Sequence, residues 1–187
     1  MRCMMIICGI DEAGRGPIAG PVSAAAVVLP KDFPFEILAD SKKLSAARRE
    51  QAERIIKERA VAWAVGWASR AEIDRVNILH ASMHAMQRAY AKVANRIGHV
   101  DLVLVDGNRT PDLGTPCQAI VQGDAKVFEI MAASILAKTA RDRLMVLLDG
   151  RYPLYGYAKH KGYPTAAHRQ ACHTYGPSPI QRMSFSW

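Results

Sequence analysis

Residues 4–10 form an unbroken apolar run, and the two residues that follow it are Asp11 and Glu12. A run of this kind reads as a buried strand, and a buried strand gains nothing by finishing on two negative charges unless a positive group meets them. Gly14-Arg15-Gly16-Pro17 comes next. Its glycines permit a tight turn and let backbone N–H groups approach a ligand closely. The combination implies a cation held by carboxylates, beside a loop able to touch a sugar or a phosphate.

The rest of the pattern builds a sheet around that strand. Residues 22–29 are apolar and β-branched and should pair with it, while residues 61–67 alternate bulky and small with period two. Ser45 is placed to cap a helix through Arg59. Ser69 and Glu72 form a capping box for a short helix, and Asn77 caps a longer one. The longer helix carries Leu79, Met83, Met86, Tyr90, Val93 and Ile97 on one stripe, with Gly98 as its stop. Strands are expected over residues 100–105 and 117–121, a long helix over 125–148 and a short one over 166–175. The order β-β-α-β-α-α-β-β-α predicts an α/β fold: a mixed sheet of about five strands flanked by helices, with a small helical C-terminal appendage. No linker or repeat divides residues 1–187, so one domain is expected.

Asp11, Glu12, Asp106 and Asp124 share a place in this plan. Each lies at the C-terminal end of an expected strand or in the turn after it, where open sheets with parallel strands bind ligands. Successive strand residues face opposite ways, so Asp11 and Glu12 can share an ion only if the strand has ended by Glu12. Four carboxylates in one cleft raise one another's pKa, and a divalent cation reverses that. All-oxygen ligands suit Mg²⁺ or Mn²⁺ rather than zinc, and two ions can serve an in-line phosphoryl displacement. Plainer readings stand beside this one. Asp124 alone reads first as a helix N-cap, and Asp106-Gly107-Asn108 equally as an ordinary turn. Residues 14–19 formally match the G-x-G-x-x-A dinucleotide fingerprint, but Pro17, Gly20 and Pro21 lead into a strand rather than a helix, which excludes it.

The net charge of +8 is unevenly spread. Residues 151–187 contain no Asp or Glu, yet carry Arg151, Lys159, Lys161, Arg169 and Arg182 with five of the six tyrosines. Basic groups interleaved with aromatics suit a nucleic acid, and the plainer reading is a solvated tail whose tyrosines pack on the body. No apolar stretch is long enough to span a bilayer and no cleavage site follows the first run, so a soluble, cytoplasmic protein is expected. Cys3, Cys8, Cys117 and Cys172 show no metal-ligand spacing and read as reduced thiols. Monomer is the default.

Together, Gly9-Ile-Asp11-Glu12-Ala-Gly14-Arg15-Gly16-Pro17, Asp40-Ser41-Lys42-Lys43-Leu44, Asn77-Ile-Leu-His80-Ala, Asp106-Gly107-Asn108, Gly123-Asp124 and His160-Lys161-Gly162-Tyr163-Pro164-Thr165 resemble bacterial ribonuclease HII, the type 2 ribonuclease H. The resemblance runs from about residue 5 to 185. It implies a ribonuclease H-like fold and an endonuclease that acts on the RNA strand of RNA–DNA hybrids. It also implies incision on the 5′ side of ribonucleotides embedded in duplex DNA, leaving 3′-hydroxyl and 5′-phosphate ends. Carried over, Asp11, Glu12, Asp106 and Asp124 become the catalytic, metal-binding carboxylates. Gly14, Arg15 and Gly16 read the 2′-hydroxyl through the backbone, and Tyr163 packs on the sugar at the RNA–DNA junction. Ser41, Lys42 and Lys43 lie near the phosphate backbone. The chain departs from the family pattern at Gln122, where lysine is usual, at Ala125, where serine is common, and in a less basic 181–185 tail.

Other classes predict differently. A resolvase or exonuclease of the same fold has no use for the glycine loop and Tyr163, and a pure binding module gains nothing from acids beside a polyanion.

Overall fold

The computed structural model describes residues 5–38 and 45–187. Five strands, β1 (Ile7–Ala13), β2 (Val22–Val28), β3 (Ala62–Ala68), β4 (Leu102–Asp106) and β5 (Cys117–Ile120), form one sheet in the order β3-β2-β1-β4-β5. β1 pairs antiparallel with β2, and β2 with β3, whereas β1–β4 and β4–β5 are parallel. The C-terminal ends of β1, β4 and β5 therefore share one edge.

The helices are α1 (Ala46–Arg59), α2 (Arg70–Ile97), α3 (Phe128–Arg151), α4 (Tyr157–His160) and α5 (Ala166–Tyr175). β2 is buried along its whole length because it is covered on both faces. Its Val22, Ala24, Ala26 and Val28 join one core with Ala81, Ala85, Met86 and Ala89 of α2. Its Ala25 and Val27 join a second core with Ile56 of α1 and Ala132, Ala133, Leu136 of α3. The period of two in the strand thus feeds two separate cores. Small residues let α2 lie close: a Cβ on Gly66 of β3 would collide with the backbone of Ala85.

The Asn77 cap falls inside α2 as a kink. Asn77 takes φ 67°, ψ 167°. Its side-chain oxygen accepts from the N–H of Leu79 at 2.9 Å and of His80 at 3.2 Å. Ser69 caps the first part by accepting from Glu72 N–H at 3.2 Å. The Glu72 carboxylate does not reach back to complete the box. It pairs with Arg88 at 2.7 Å and with His84 at 2.8 Å, and the Arg88 cation exceeds a backbone amide in attraction.

Three boundaries differ from expectation. β1 continues through Asp11, Glu12 and Ala13, because β2 still pairs with it there. α3 starts at Phe128, not 125, and runs to Arg151; residues Gly123–Ala125 form a 3-10 turn instead. The short α4 has no counterpart among the elements expected for residues 151–165. Cys8 and Cys172 are buried free thiols and Cys117 a half-buried one. Among the described residues, no helix is long and apolar enough to cross a membrane.

Candidate active site

Ile10 of β1 lies opposite Val105 of the parallel β4. One residue further, Asp11 and Asp106 are neighbours at the same edge. Cys8, Ile10, Val103 and Val105 enter the core under α2, so Asp11 and Asp106 face the α3 side. Asp11 is 5% exposed, and the nearby Ser134 of α3 favours its charged form. Its carboxyl is pushed well above the usual range, first by burial and then by the charges of Glu12 and Asp106.

Glu12 should turn to the α2 side by strand alternation. It nevertheless lines the same cleft as Ser134 and Tyr163. The pairing with β4 stops at Ile10 and Val105, so beyond that point no neighbouring strand walls Glu12 off from the edge. The strand has ended toward β4 but not toward β2. Burial and Asp106 raise the Glu12 carboxyl, opposed by Arg15, whose Nη1 lies 3.2 Å from Glu12 Oε1.

Asp124 sits in the turn after β5, and its N–H donates to Asp106 Oδ1 at 3.2 Å. It does not cap α3, whose N-cap is Val127. Gln122 holds a left-handed backbone ahead of this turn, with φ 58°. Gly123 is needed for space: a Cβ there would lie 2.6 Å from Ile130 Cδ1 and 3.3 Å from Asp106 Oδ1.

The carboxylate set suits a hard divalent cation. All donors are oxygens, and the like charges crowd one another in a buried setting where a cation would relieve them. Among the described residues, no three such side chains close into a finished cation cage. Glu12 is paired with Arg15, a contact that competes with a shared ion.

The glycine loop and Tyr163 face the same space. A cleft of about 390 Å³ is lined by Glu12, residues 13–16, Arg49, Ser134, Ile135, Lys138 and Tyr163. The Tyr163 ring, 44% exposed, passes 3.5 Å from where a Cβ on Gly16 would stand. Its backbone is pinned: its N–H donates to His160 O at 2.9 Å, and its carbonyl accepts from Thr165 N–H and pairs with His168 Nδ1. His168 is fully buried and stacks on His160 with ring centres 4.4 Å apart. Burial holds its pKa below the usual imidazole range.

The C-terminal stretch is only partly a basic surface. Arg151, Lys159 and Arg169 are exposed. Arg182 is wholly buried, as is Tyr157, and Tyr155 stacks on Tyr157. The solvated-tail expectation fails for Arg182 because residues 180–182 pair with the glycine loop. Gly20 N–H donates to Ile180 O at 2.9 Å and Arg182 N–H to Ile18 O at 2.8 Å.

Lys138 and Arg49 line the cleft but carry no mark in the sequence motifs. Lys138 lies 5.9 Å over the Tyr163 ring and pairs with Asp142 at 2.8 Å. Its spacing of four from Ser134 puts it on the same helix face, the one signal that was available. Ser41, Lys42 and Lys43 lie outside the described residues.

A mixed sheet in this order, helices on both faces and acids at the ends of its central parallel pair define a ribonuclease H-like protein. The chain superposes on the RNase HII of a PCNA:RNase HII complex from Archaeoglobus fulgidus with a TM-score of 0.78 at 25% identity, covering 98% of this chain and 96% of that one. Against ribonuclease H2 of Pyrococcus horikoshii OT3 the TM-score is 0.72 at 25% identity, covering 97% and 94%. Residues 8–187 match the Ribonuclease HII family model. The chain is 56% identical over 180 residues to Ribonuclease HII of Dechloromonas aromatica, covering 96% of this chain and 90% of that one. It is 59% identical over 181 residues to that of Laribacter hongkongensis, with the same coverage. The chain belongs to the Ribonuclease HII family, and it is an endoribonuclease that hydrolyses RNA in RNA–DNA hybrids.

Proposed function

We propose that this enzyme is metal-dependent and, besides cutting hybrids, incises duplex DNA on the 5′ side of an embedded ribonucleotide, leaving 3′-hydroxyl and 5′-phosphate ends. Asp11, Glu12, Asp106 and Asp124 are the residues assigned to hold Mg²⁺ or Mn²⁺, with two ions in the working complex. A Mn²⁺ complex of the structurally similar Bst-RNase HIII is in keeping with this choice of metal. When bound, the metal supplies an activated water and stabilises charge on the leaving oxygen.

The chain's own groups do the rest. The Gly14-Arg15-Gly16 backbone reads the 2′-hydroxyl, the local feature that separates a ribonucleotide from its DNA neighbours. Tyr163 offers a flat apolar face and a hydroxyl to the sugar at the RNA–DNA junction. Ser134 favours the charged form of Asp11, and the exposed Arg151, Lys159 and Arg169, with Ser41, Lys42 and Lys43, supply affinity for phosphates. One catalytic domain over residues 1–187, working as a monomer in the cytoplasm, completes the reading.

The observation that carries it is the single cleft in which Glu12, the glycine loop and Tyr163 meet, one residue from the Asp11–Asp106 pair. Mapping the cut on a DNA duplex with one ribonucleotide, with and without divalent metal, tests it. A single metal-dependent cut 5′ to the ribonucleotide is expected. Equal cutting of an all-DNA duplex, or cutting undiminished by chelator, would overturn it.

A further inference from the structure

Two guanidinium groups lie buried beneath the glycine loop, Arg141 at 1% and Arg182 at 0% exposure. Arg182 donates to five loop carbonyls: Gly14 at 2.6 Å, Arg15 at 3.0 Å, Pro17 at 2.6 Å, Gly20 at 2.9 Å and Pro21 at 3.3 Å. Arg141 donates to Ala19 at 3.1 Å, to Pro21 at 3.0 Å, and to Lys161 at 2.9 Å in the segment that carries Tyr163. Burial pushes both pKa values down, to about 9 for Arg182 and about 10 for Arg141, so both remain cations at neutral pH.

This has a directional consequence. No peptide in the described residues is cis. In a trans peptide the N–H points opposite to the C=O of the same unit. With the carbonyls of Gly14 and Arg15 drawn inward to Arg182, the N–H groups of Arg15 and Gly16 must point outward. Among the described residues, neither N–H donates to another protein group. Residues 14–16 line the cleft shared with Tyr163. Two successive outward N–H groups form a concavity suited to an oxygen acceptor.

We propose that Arg182 is the positioning residue of ribose recognition: by holding the Gly14 and Arg15 carbonyls inward, it presents the Arg15 and Gly16 N–H groups as the donors that meet the 2′-oxygen. The inference rests on the functional reading above. It gives Arg182, read from sequence as part of a basic docking tail, a task that involves no direct contact with nucleic acid. The charge matters less than the fork, because one planar group must serve several carbonyls at once. Lysine, a point donor, should not replace it.

The test is binding selectivity with cleavage suppressed by chelator. Fluorescence anisotropy compares a duplex carrying one ribonucleotide with the same duplex all in DNA, for the full-length wild type, Arg182→Lys and Arg182→Met. The wild type should prefer the ribonucleotide duplex. Both variants should lose about tenfold of that preference, the scale of one or two hydrogen bonds, while all-DNA affinity holds. A purely structural role would weaken both duplexes together, and that outcome, or a folded variant with unchanged preference, overturns the proposal. A wild type that shows no preference in the first place refutes the functional reading instead. Should both variants fail to fold, amide hydrogen exchange on the wild type decides. The ribonucleotide duplex must slow exchange at Arg15 and Gly16 beyond the all-DNA duplex, and equal rates overturn the proposal.

Discussion

The acidic edge of the sheet and the glycine loop lie side by side and solve opposite electrostatic problems. At the edge, buried carboxylates face one another, and Arg15 is the cation paired with Glu12. Under the loop, two buried guanidinium groups repel each other but donate their N–H groups to neutral carbonyls. The first region is left in tension that a bound ion would release; in the second, the loop carbonyls already answer the buried charge. On the proposed function, this cleft keeps its reactive side unsettled while fixing the side that discriminates, in line with the trade of stability for function at active sites.

Asp11→Asn tests the tension most directly. Loss of cleavage by roughly a thousandfold or more is expected, the scale for removing a group that holds charge in the transition state. The stability effect has the opposite sign. Because the folded-state pKa of Asp11 is raised, its contribution is fully present below the ordinary carboxylate value and lost as pH rises through the folded one. At neutral pH without metal the amide should therefore melt no lower than wild type, and about 2–4 °C higher if about 1 kcal/mol is recovered. A lower melting temperature would break the comparison from its acidic side.

Salt dependence comes next in size. About four phosphate contacts weaken duplex binding roughly a hundredfold between about 50 and 200 mM salt. Because Arg182 is buried, Arg182→Lys should leave this slope unchanged, whereas Arg169→Ala should reduce it. Anisotropy titrations at several salt concentrations check both.

Gly14→Ala attacks the saturated side. A Cβ there would collide with the Arg141 side chain, and φ is +102°. Backbone strain and overpacking together cost about 2–4 kcal/mol, or roughly 5–15 °C in melting temperature. A variant with wild-type stability would show the loop to be less rigid than its hydrogen bonds imply. Tyr163→Ala should lower cleavage of the single-ribonucleotide duplex by about tenfold with little change in melting, since truncating an exposed ring removes stacking and not core packing.

The smallest effect lies away from the cleft, at Glu53. It bridges Arg143 at 2.7 Å and Lys57 at 2.6 Å, and these partners hold its carboxyl below the usual range against the opposing effect of burial. That stabilisation is present above its ordinary value and is lost as pH falls through the lower folded value. Glu53→Gln should cost about 1–2 kcal/mol at neutral pH and flatten the acid limb of the stability curve. Thermal melts across pH provide the check.

Local chemistry made much of this legible from sequence. The alternation in residues 62–68, the caps at Ser45, Ser69 and Asn77, and the abrupt step from Ile10 to Asp11 each carry their signal within a few residues. The strand-end placement of Asp106 followed from the same reading, whereas Asp11 lies inside β1, which pairing with β2 prolongs to Ala13. The start of α3 was misjudged because Gly123-Asp124 is as good a turn as a helix start, and only the fit of Gly123 against Ile130 and Asp106 chooses between them.

What sequence could not supply was any fact that depends on which distant segments meet. An arginine in a basic tail looks the same whether it faces solvent or closes under a loop about nine-tenths of the chain away; Arg182 lies 168 positions from the carbonyl of Gly14 that it binds. Glu12 reaches the cleft because pairing with β4 stops two residues short of it, a matter of register between strands about ninety-five residues apart. Periodicity and capping are near-neighbour physics and are written in the chain. Burial of a charge, and the direction in which a peptide is turned by it, are set by long-range packing, so the tertiary structure alone decided them.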